Sequence, residues 1–317
     1  MTYKLINIVI VLKDYSKYLD NCLNHLEKQI KNNFNVTIVS ESKIILKKKF
    51  SFDVKLIKST VKKPGKKRHL ASIVSKSEYI AFIDDDAYAN PEWTLNIEKY
   101  LNKYHAITGP AISPNEESFK ISKDLYSSVY FSKFSGGANH RYIQNEKIFK
   151  IDDFASVNFA IRREIYNKTK GFNCIYWPGE DTYLGNELKK KHIDIYYIPK
   201  LVVYHERRES FKAFVKQLFR YSYTRGFFVK KNISNSIKLK YFLPSFLNLI
   251  IIFCLITNNN LSKYILLIYL IVPFISMIEI INYKKKFYMT LSFFIIIISH
   301  IIYGIGFMKG IINKKYK

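Results

Sequence analysis

The N-terminal part of the chain alternates short apolar runs with segments of helical spacing. Residues 5–12 (LINIVIVL) form an apolar run with one asparagine, which predicts a buried strand. A helical pattern follows, and further strands are predicted at 36–39, 54–57 and 79–83, with a helix over 66–75. Strands that alternate with helices are typical of a doubly wound, mostly parallel α/β sheet. Ligands of such sheets bind beyond the carboxyl ends of the strands.

The last part of the chain contains three stretches without Asp, Glu, Lys or Arg: 241–262, 264–278 and 287–308. The third has 22 residues, enough to cross a hydrocarbon core of about 30 Å, whereas Pro244 and Pro273 interrupt the other two. We therefore predict two to three membrane helices. Three full spans would put Lys314 and Lys315 on the side opposite the N-terminal part, against the positive-inside tendency. One stretch is thus a candidate for a re-entrant or interfacial segment.

Charge and cysteine content narrow the classes of partner. The 317 residues include 51 Lys and Arg but 25 Asp and Glu, a formal net charge of +26. This charge suits a nucleic acid, an anionic membrane surface or an anionic nucleotide. The lysines occur in short runs, and the sequence has no zinc-finger, helix-turn-helix or RNP-like pattern, so we expect no nucleic-acid partner. The three cysteines lie far apart, which argues against a cysteine zinc site or a disulfide framework.

Three consecutive aspartates, Asp84, Asp85 and Asp86, directly follow the strand predicted at 79–83. Their mutual repulsion is relieved by a divalent cation with a phosphate ligand. Asp84 and Asp86 occupy alternate positions of an extended segment and so project to the same side. A solvated acidic turn would show the same composition, because Asp is common in turns.

Two further groups carry candidate chemistry. Glu180 and Asp181 begin a predicted helix, where a carboxylate either interacts with the helix dipole or acts as a general base towards a bound alcohol. Strand-like segments are predicted at 195–198 and 201–204, and His205 ends the second. A histidine there is either structural or a metal ligand through its neutral imidazole.

In this order, these pieces resemble the family-2 glycosyltransferases of the GT-A fold, over about residues 4–225. The resemblance rests on the opening unit INIVIVLKDYSKYLDNCLNHLEKQ and on four later segments: PGKKRHLASIVSKSEYIAFIDDDAYANPEW, FASVNFAIRREIYNKTKGF, GEDTYLGNELKKKHIDIYYIPKLVVYHERRES and, more weakly, QLFRY. It implies a Rossmann-like, mostly parallel sheet with helices on both faces, here followed by membrane helices. It also implies an inverting, hexosyltransferase-like enzyme that uses a nucleotide-sugar donor.

On the donor side, the resemblance implies that Asp84 and Asp85 lie near the ribose and the diphosphate. Arg68 matches the family's basic residue near the uracil or the phosphates, and Glu41 matches an acidic residue that contacts the base. A UDP-sugar is the favoured donor. The sequence departs from the family pattern after the second strand, where Ser40-Glu41-Ser42 replaces the usual pair of aspartates.

For metal binding and catalysis, the resemblance implies that Asp86 binds Mn²⁺ or Mg²⁺ and that His205 completes the metal site. Asp181 matches the catalytic base, and Glu180 is its acidic neighbour in the acceptor site. Inversion needs one base and no covalent intermediate, unlike hydrolysis by an acid and a base.

The resulting domain scheme has three parts: a GT-A catalytic domain at 1–208, an amphipathic basic interfacial segment at 209–237 and the membrane region at 238–317. A membrane-held site favours a lipid-linked or polysaccharide acceptor in cell-envelope synthesis, with the catalytic domain facing the cytoplasm at the cell membrane. Two alternatives stay open: a membrane-tethered, metal-dependent phosphoesterase, and an inactive protein that binds sugar nucleotides or nucleic acid.

Overall fold

The computed structural model describes residues 5–114, 121–132, 139–257 and 260–316. The chain folds as two compact units that are both discontinuous in sequence. The first, here the sheet unit, comprises residues 1–114 and 143–206, and the second, the helical unit, comprises residues 115–142 and 207–317. The predicted domain boundaries at 208 and 237 stay predictions.

The elements are numbered along the chain. Up to residue 114 they are β1 (Ile6–Val11), α1 (Lys17–Glu27), β2 (Phe34–Ser40), β3 (Val54–Lys58), α2 (Pro64–Ile73), β4 (Tyr79–Ile83), β5 (Ala87–Ala89), α3 (Trp93–Leu101), β6 (Ala106–Thr108) and β7 (Ala111–Ile112). The later elements are α4 (Ile121–Ser128), β8 (Phe149–Ile151), β9 (Asn158–Arg162), α5 (Arg163–Asn167), α6 (Glu180–Lys190), β10 (Ile195–Tyr197), β11 (Val203–His205), α7 (Phe211–Lys230), α8 (Leu239–Thr257), α9 (Asn260–Lys284) and α10 (Ser292–Ile312).

Within the described residues, eight strands form the main sheet, in the order β3-β2-β1-β4-β9-β6-β10-β8. The pairs β2–β3, β1–β2, β1–β4 and β6–β10 are parallel, whereas β9 runs antiparallel to β4 and β6, and β8 runs antiparallel to β10. Every residue of β1 and β4 is buried, which explains their continuous apolar runs. The predicted mostly parallel α/β sheet is confirmed.

A small second sheet forms beside the acidic cluster. In the described part of the chain it has three strands in the order β5-β11-β7, with β11 antiparallel to β5 and parallel to β7. These strands have two or three residues each, too few for a recognisable sequence pattern. Their register pairs His205 with Ala87, immediately after the three aspartates.

The helical unit contains α4 and the four long helices α7–α10. Three segments of the described chain are long and apolar enough to cross a membrane: Leu239–Thr257, Asn260–Lys284 and Phe287–Ile312. Both α8 and α9 continue through their prolines, Pro244 and Pro273. Ser210 caps the N-terminus of α7, because its hydroxyl accepts a hydrogen bond from the Ala213 amide, and the helix buries Phe214, Leu218 and Ser222 at intervals of one turn.

Candidate active site

The end of β4 and the end of β11 bring two carboxylates and one imidazole together. The buried strand β4 ends in a tight turn in which the Ala87 amide donates to the Asp84 carbonyl (3.1 Å). Strand β11, which pairs with β5, places His205 Nε2 3.2 Å from Asp86 Oδ1. The backbone supports this contact, because the Glu206 amide donates to the Asp86 carbonyl (3.1 Å).

Asp84, Asp86 and His205 fit a divalent cation by their chemistry and spacing. Each offers one ligand atom, and these atoms all lie within 4.8 Å of one another. Carboxylate oxygens suit Mg²⁺ and Mn²⁺, and imidazole is also a ligand for transition metals. Three protein ligands fill only half of an octahedral shell, so phosphate oxygens could take other positions. The group thus contains Asp84 in addition to Asp86 and His205, the two residues that the sequence indicated as metal ligands.

Asp85 lies between these two carboxylates and is mostly buried. Burial, together with the charges of Asp86 and Asp84, raises the pKa of Asp85 to about 7. The Ser16 hydroxyl, just before α1, lies 3.4 Å from Asp85 Oδ2. The carboxylates at the end of β4 thus disfavour one another's charged forms, and a positively charged ligand there would relieve this repulsion.

Arg68 of α2 links the two acidic groups of the sheet unit. Its side chain is 6% exposed, and its guanidinium contacts Asp84 Oδ1 (2.6 Å) and Glu180 Oε1 (2.9 Å). Burial alone would lower the pKa of Arg68, but the charges of Asp84 and Glu180 raise it above its ordinary value. Arg68 therefore remains charged and holds both carboxylates. Its predicted contact with the nucleotide stays a prediction.

Glu180 and Asp181 form the first turn of α6, after Gly179 at φ 118°. That backbone conformation favours glycine. Glu180 is buried, and burial raises the pKa of its carboxyl above the ordinary value although Arg68 opposes the shift. Asp181 is half-buried, and its Oδ1 accepts from the Thr182 amide (2.9 Å). A Cβ on Gly65 at the start of α2 would lie 2.9 Å from Glu180 Cβ, so glycine permits this close approach.

Glu41 lies just beyond β2 at the same edge of the sheet as Asp84. Its carboxylate accepts from Lys67 Nζ (2.8 Å), which also donates to the Leu12 carbonyl after β1 (2.7 Å). Lys67 is almost fully buried. No sequence signal indicated the role of Lys67, because its contacts with Glu41 and Leu12 form only once α2 is packed on the sheet. The roles of Glu41, Asp84, Asp85, Asp86, Glu180, Asp181 and His205 stay predictions.

Several solved structures are similar to this chain. For residues 1–349 of S. aureus TarS with UDP-GlcNAc, identity is 15%, coverage is 68% of this chain and 65% of that chain, and the TM-score is 0.47. For mannosyltransferase PcManGT from Pyrobaculum calidifontis with GDP-Man and Mn²⁺, identity is 12%, coverage is 70% of this chain and 62% of that chain, and the TM-score is 0.49. For GalNAc-T7 with UDP, GalNAc and Mn²⁺, identity is 12%, coverage is 73% of this chain and 51% of that chain, and the TM-score is 0.50. The chain thus spans less than two thirds of each of these proteins.

The sheet topology and the likeness to GalNAc-T7 define a GT-A fold, followed by three long apolar helices. Residues 33–224, more than half of the chain, match the family described as "glycosyltransferase like family 2". The chain therefore belongs to this family, as its motifs indicated. A search of curated proteins found no match.

Proposed function

We propose that this protein is a metal-dependent, inverting glycosyltransferase that moves a sugar from a nucleotide sugar, with UDP-sugars favoured, to a hydroxyl group. The observation that carries the proposal is the group Asp84, Asp86 and His205 at the end of β4, within a chain that belongs to family 2. Two of the similar structures are described with Mn²⁺ and a nucleotide or nucleotide sugar, which supports a nucleotide-sugar donor here.

The donor side follows from the residues around β4. Asp86 and His205, joined by Asp84, would hold Mn²⁺ or Mg²⁺, and Asp84 and Asp85 would face the ribose and diphosphate. A bound divalent cation neutralises the charge that develops on the leaving diphosphate. Glu41, fixed by Lys67, would contact the base. Arg68 acts as a positioning residue, because its guanidinium fixes Asp84 and Glu180.

On the acceptor side, Asp181 would take the proton of the acceptor hydroxyl. The oxygen attacks the anomeric carbon opposite the leaving group, a new carbon–oxygen bond forms, and the bond to the diphosphate breaks with its electron pair. One base is enough, and the configuration inverts. Glu180 is buried next to Asp181 in the first turn of α6 and would be its acidic neighbour in the acceptor site.

A donor screen tests this reaction. UDP-, GDP- and dTDP-sugars are offered to the detergent-solubilised protein with Mn²⁺, Mg²⁺ or EDTA, and release of the nucleoside diphosphate is measured. We expect turnover of one donor that EDTA abolishes and Mn²⁺ or Mg²⁺ restores. Asp181→Asn should lower turnover by about 10²–10⁴-fold with donor binding retained, whereas Asp86→Asn should lose metal-dependent donor binding as well.

Asp194→Asn is the matched control, because Asp194 is an exposed carboxylate in the same unit, paired with Lys150 on the surface. It should keep full activity. Metal-dependent release of inorganic phosphate, without transfer to any acceptor, would instead indicate the phosphoesterase. Donor binding and cellular function that both survive Asp181→Asn would indicate an inactive binding protein.

For the acceptor, we propose a lipid-linked saccharide in cell-envelope polysaccharide synthesis. The three apolar helices support a membrane-held enzyme, and its donor side would face the cytoplasm because charged nucleotide sugars do not cross a bilayer unaided. With a radiolabelled donor and membrane lipid extracts, label should enter the organic phase with wild type and not with Asp181→Asn. Label found only in water-soluble glycans would contradict a lipid-linked acceptor.

A further inference from the structure

Helices α7 and α10 of the helical unit lie in direct contact and run in the same direction. A Cβ on Gly306 would lie 2.1 Å from Ser222 Oγ, and one on Gly310 would lie 2.1 Å from the Tyr223 carbonyl oxygen. Further along both helices, Lys230 Nζ donates to the Asn313 carbonyl (3.2 Å). Residues 222–230 thus follow residues 306–313 side by side, and the two helices share one orientation.

This pairing matters because α7 is too charged to cross a membrane. Its twenty residues include five cations spread along its length: Lys212, Lys216, Arg220, Arg225 and Lys230. Insertion of each such side chain near the centre of a membrane helix is strongly unfavourable. Since α7 stays outside the hydrocarbon core, α10, which is parallel to it and in contact, cannot stand upright in that core.

The direction of α8 leads to the same conclusion. The rings of Phe242 and Phe307 touch, with centroids 5.0 Å apart. One turn further, Ser245 donates to the Gly304 carbonyl (3.2 Å), and then Asn248 donates to the Ile301 carbonyl (2.9 Å). Helix α8 therefore runs opposite to α10. In three successive spans the first and the third run in the same direction, so this order does not match three upright helices.

Helix α9 passes the middle of α10 and ends close to its N-terminal end. Its Tyr269 lies 3.3 Å from His300 at the middle of α10, and its last residue, Lys284, is three residues before the start of the third apolar segment. Helices α8 and α9 thus leave from the C-terminal end of α10 and return at its N-terminal end. If α10 were upright, only one of these two apolar helices could cross.

The outer face of α10 is suited to lipid. An exposed apolar stripe, with the exposed Lys309 beside it, runs along the side opposite α7 and comprises Phe294, Ile301, Ile305, Met308 and Ile312, which are 37–70% exposed. Their spacing of 7, 4, 3 and 4 residues keeps them on one helical face. Of the three apolar segments, the one that contains α10 is also the most covered by protein. Of its most apolar stretch 44% is buried, against 11% and 22% for the stretches in α8 and α9.

We propose that α10 lies in the plane of the membrane interface, with this stripe in the acyl boundary and α7 on its aqueous side, while α8 and α9 cross as a pair. The 19 and 25 residues of α8 and α9 give about 28 and 37 Å of helix, enough for the core. The arrangement places the lysine groups near residues 230, 238, 285, 309 and 314 on one side, where they meet an anionic leaflet. The partner of this surface is a lipid bilayer.

Sidedness tests the proposal directly. Single cysteines replace Lys314, Thr257 at the end of α8, and Lys49 on the sheet unit, all exposed, and an impermeant maleimide is applied to inverted and right-side-out vesicles. Wild type sets the background, because its three cysteines are buried. We expect Lys314→Cys and Lys49→Cys to react from the same side and Thr257→Cys from the other. The proposal is wrong if the maleimide labels Lys314→Cys from the same side as Thr257→Cys. It is also wrong if Thr257→Cys is labelled from the same side as Lys49→Cys.

A depth measurement gives a second, independent readout. Nitroxides at the five stripe positions report their depth through collision with oxygen and with a water-soluble nickel complex. A helix in the interface gives one shallow depth at all five positions. A spanning helix gives depths that rise to the midplane and fall again over the 18 residues from Phe294 to Ile312, about 27 Å, and this profile would overturn the proposal. Both measurements read geometry alone and stand apart from the search for transferase activity.

Discussion

At the scale of single residues, Arg68 joins the two acidic groups of the sheet unit. It is a buried cation whose two partners are carboxylates from different parts of the chain, Asp84 after β4 and Glu180 at the start of α6. Breaking a buried ion pair from one side is costly because the remaining charge keeps no partner. The position of Asp84 in the candidate metal group therefore depends on a residue that is not itself a ligand.

Replacing Arg68 by Gln should destabilise the protein by about 3–5 kcal/mol, since the buried Glu180 and the partly buried Asp84 would lose their common cation. Thermal unfolding in detergent measures the change. Arg68→Lys keeps one charge but not the fork of donors, and we expect it to restore only part of the stability. Lys189→Gln, which removes an exposed and loosely paired cation, is the control and should leave the unfolding temperature unchanged. Equal stability of Arg68→Gln and wild type would show that the ion pairs contribute little.

The sequence reached part of this site and missed the rest for a physical reason. Asp84, Asp86 and His205 were indicated because they follow predicted strands, and strand ends converge at one edge of a sheet. The pairing of Arg68 with Glu180 joins residues 112 positions apart, and it depends on the packing of α2 against the start of α6. Neither hydrophobic pattern nor residue type carries that information.

At the scale of elements, α4 is tied to the junction between α9 and the third apolar segment. The Asp124 carboxylate of α4 is fully buried and contacts Lys284 (2.9 Å), Lys286 (3.1 Å) and the Tyr288 hydroxyl (2.7 Å). A stacked pair of rings, Tyr126 and Phe214, joins α4 to α7. This short helix thus connects three of the long helices within the helical unit.

The contacts of Asp124 predict a pH dependence of stability. Burial opposes ionisation, but the hydrogen bonds from Lys284 and Tyr288 outweigh it and hold the pKa of Asp124 below its ordinary value of 3.8. Because the folded state has the lower pKa, the stabilisation is complete well above pH 4 and is lost as the pH falls below that value. Thermal unfolding of the solubilised protein between pH 7 and pH 3 should show this loss in wild type.

Asp124→Asn should be less stable than wild type at pH 7 and should show a smaller decrease towards pH 3, so that the two proteins converge. The control is Asp194→Asn in the sheet unit, whose carboxylate is exposed and paired with Lys150 on the surface; it should remain close to wild type at pH 7. Parallel curves for Asp124→Asn and wild type over the whole range would contradict the argument.

The strands show which elements a sequence can define. Strand β4 has the predicted bounds, and β1, β2 and β3 lie within one to two residues of theirs, because their apolar runs are long enough to form a pattern. The strands β5, β7 and β11 were missed or shifted, since two or three residues give no periodicity. Those short strands nonetheless set the position of His205.

At the scale of the whole molecule, the chain leaves the sheet unit at residue 114 and re-enters it at residue 143. The segment between belongs to the helical unit. A truncation after residue 208, the predicted end of the catalytic domain, would therefore keep α4 but remove Lys284, Lys286 and Tyr288, its buried partners.

We expect the chain truncated after residue 208 to aggregate, because α4 would expose the apolar side that packs against the later helices. Size-exclusion chromatography and thermal unfolding, side by side with the full chain in the same detergent, measure this. A monodisperse, cooperatively unfolding 1–208 chain would show that the sheet unit and α4 need no further residues.

The separation of Asp124 from its partners also sets an order of events during synthesis. Lys286 follows Asp124 by 162 residues, so at about 5–20 residues per second the ribosome delivers it roughly 8–30 seconds later. The sheet unit has all of its strands by residue 205, well before that moment. Newly made α4 therefore lacks these partners until the last apolar helices emerge, and in this interval a chaperone or the insertion machinery has the best opportunity to bind it.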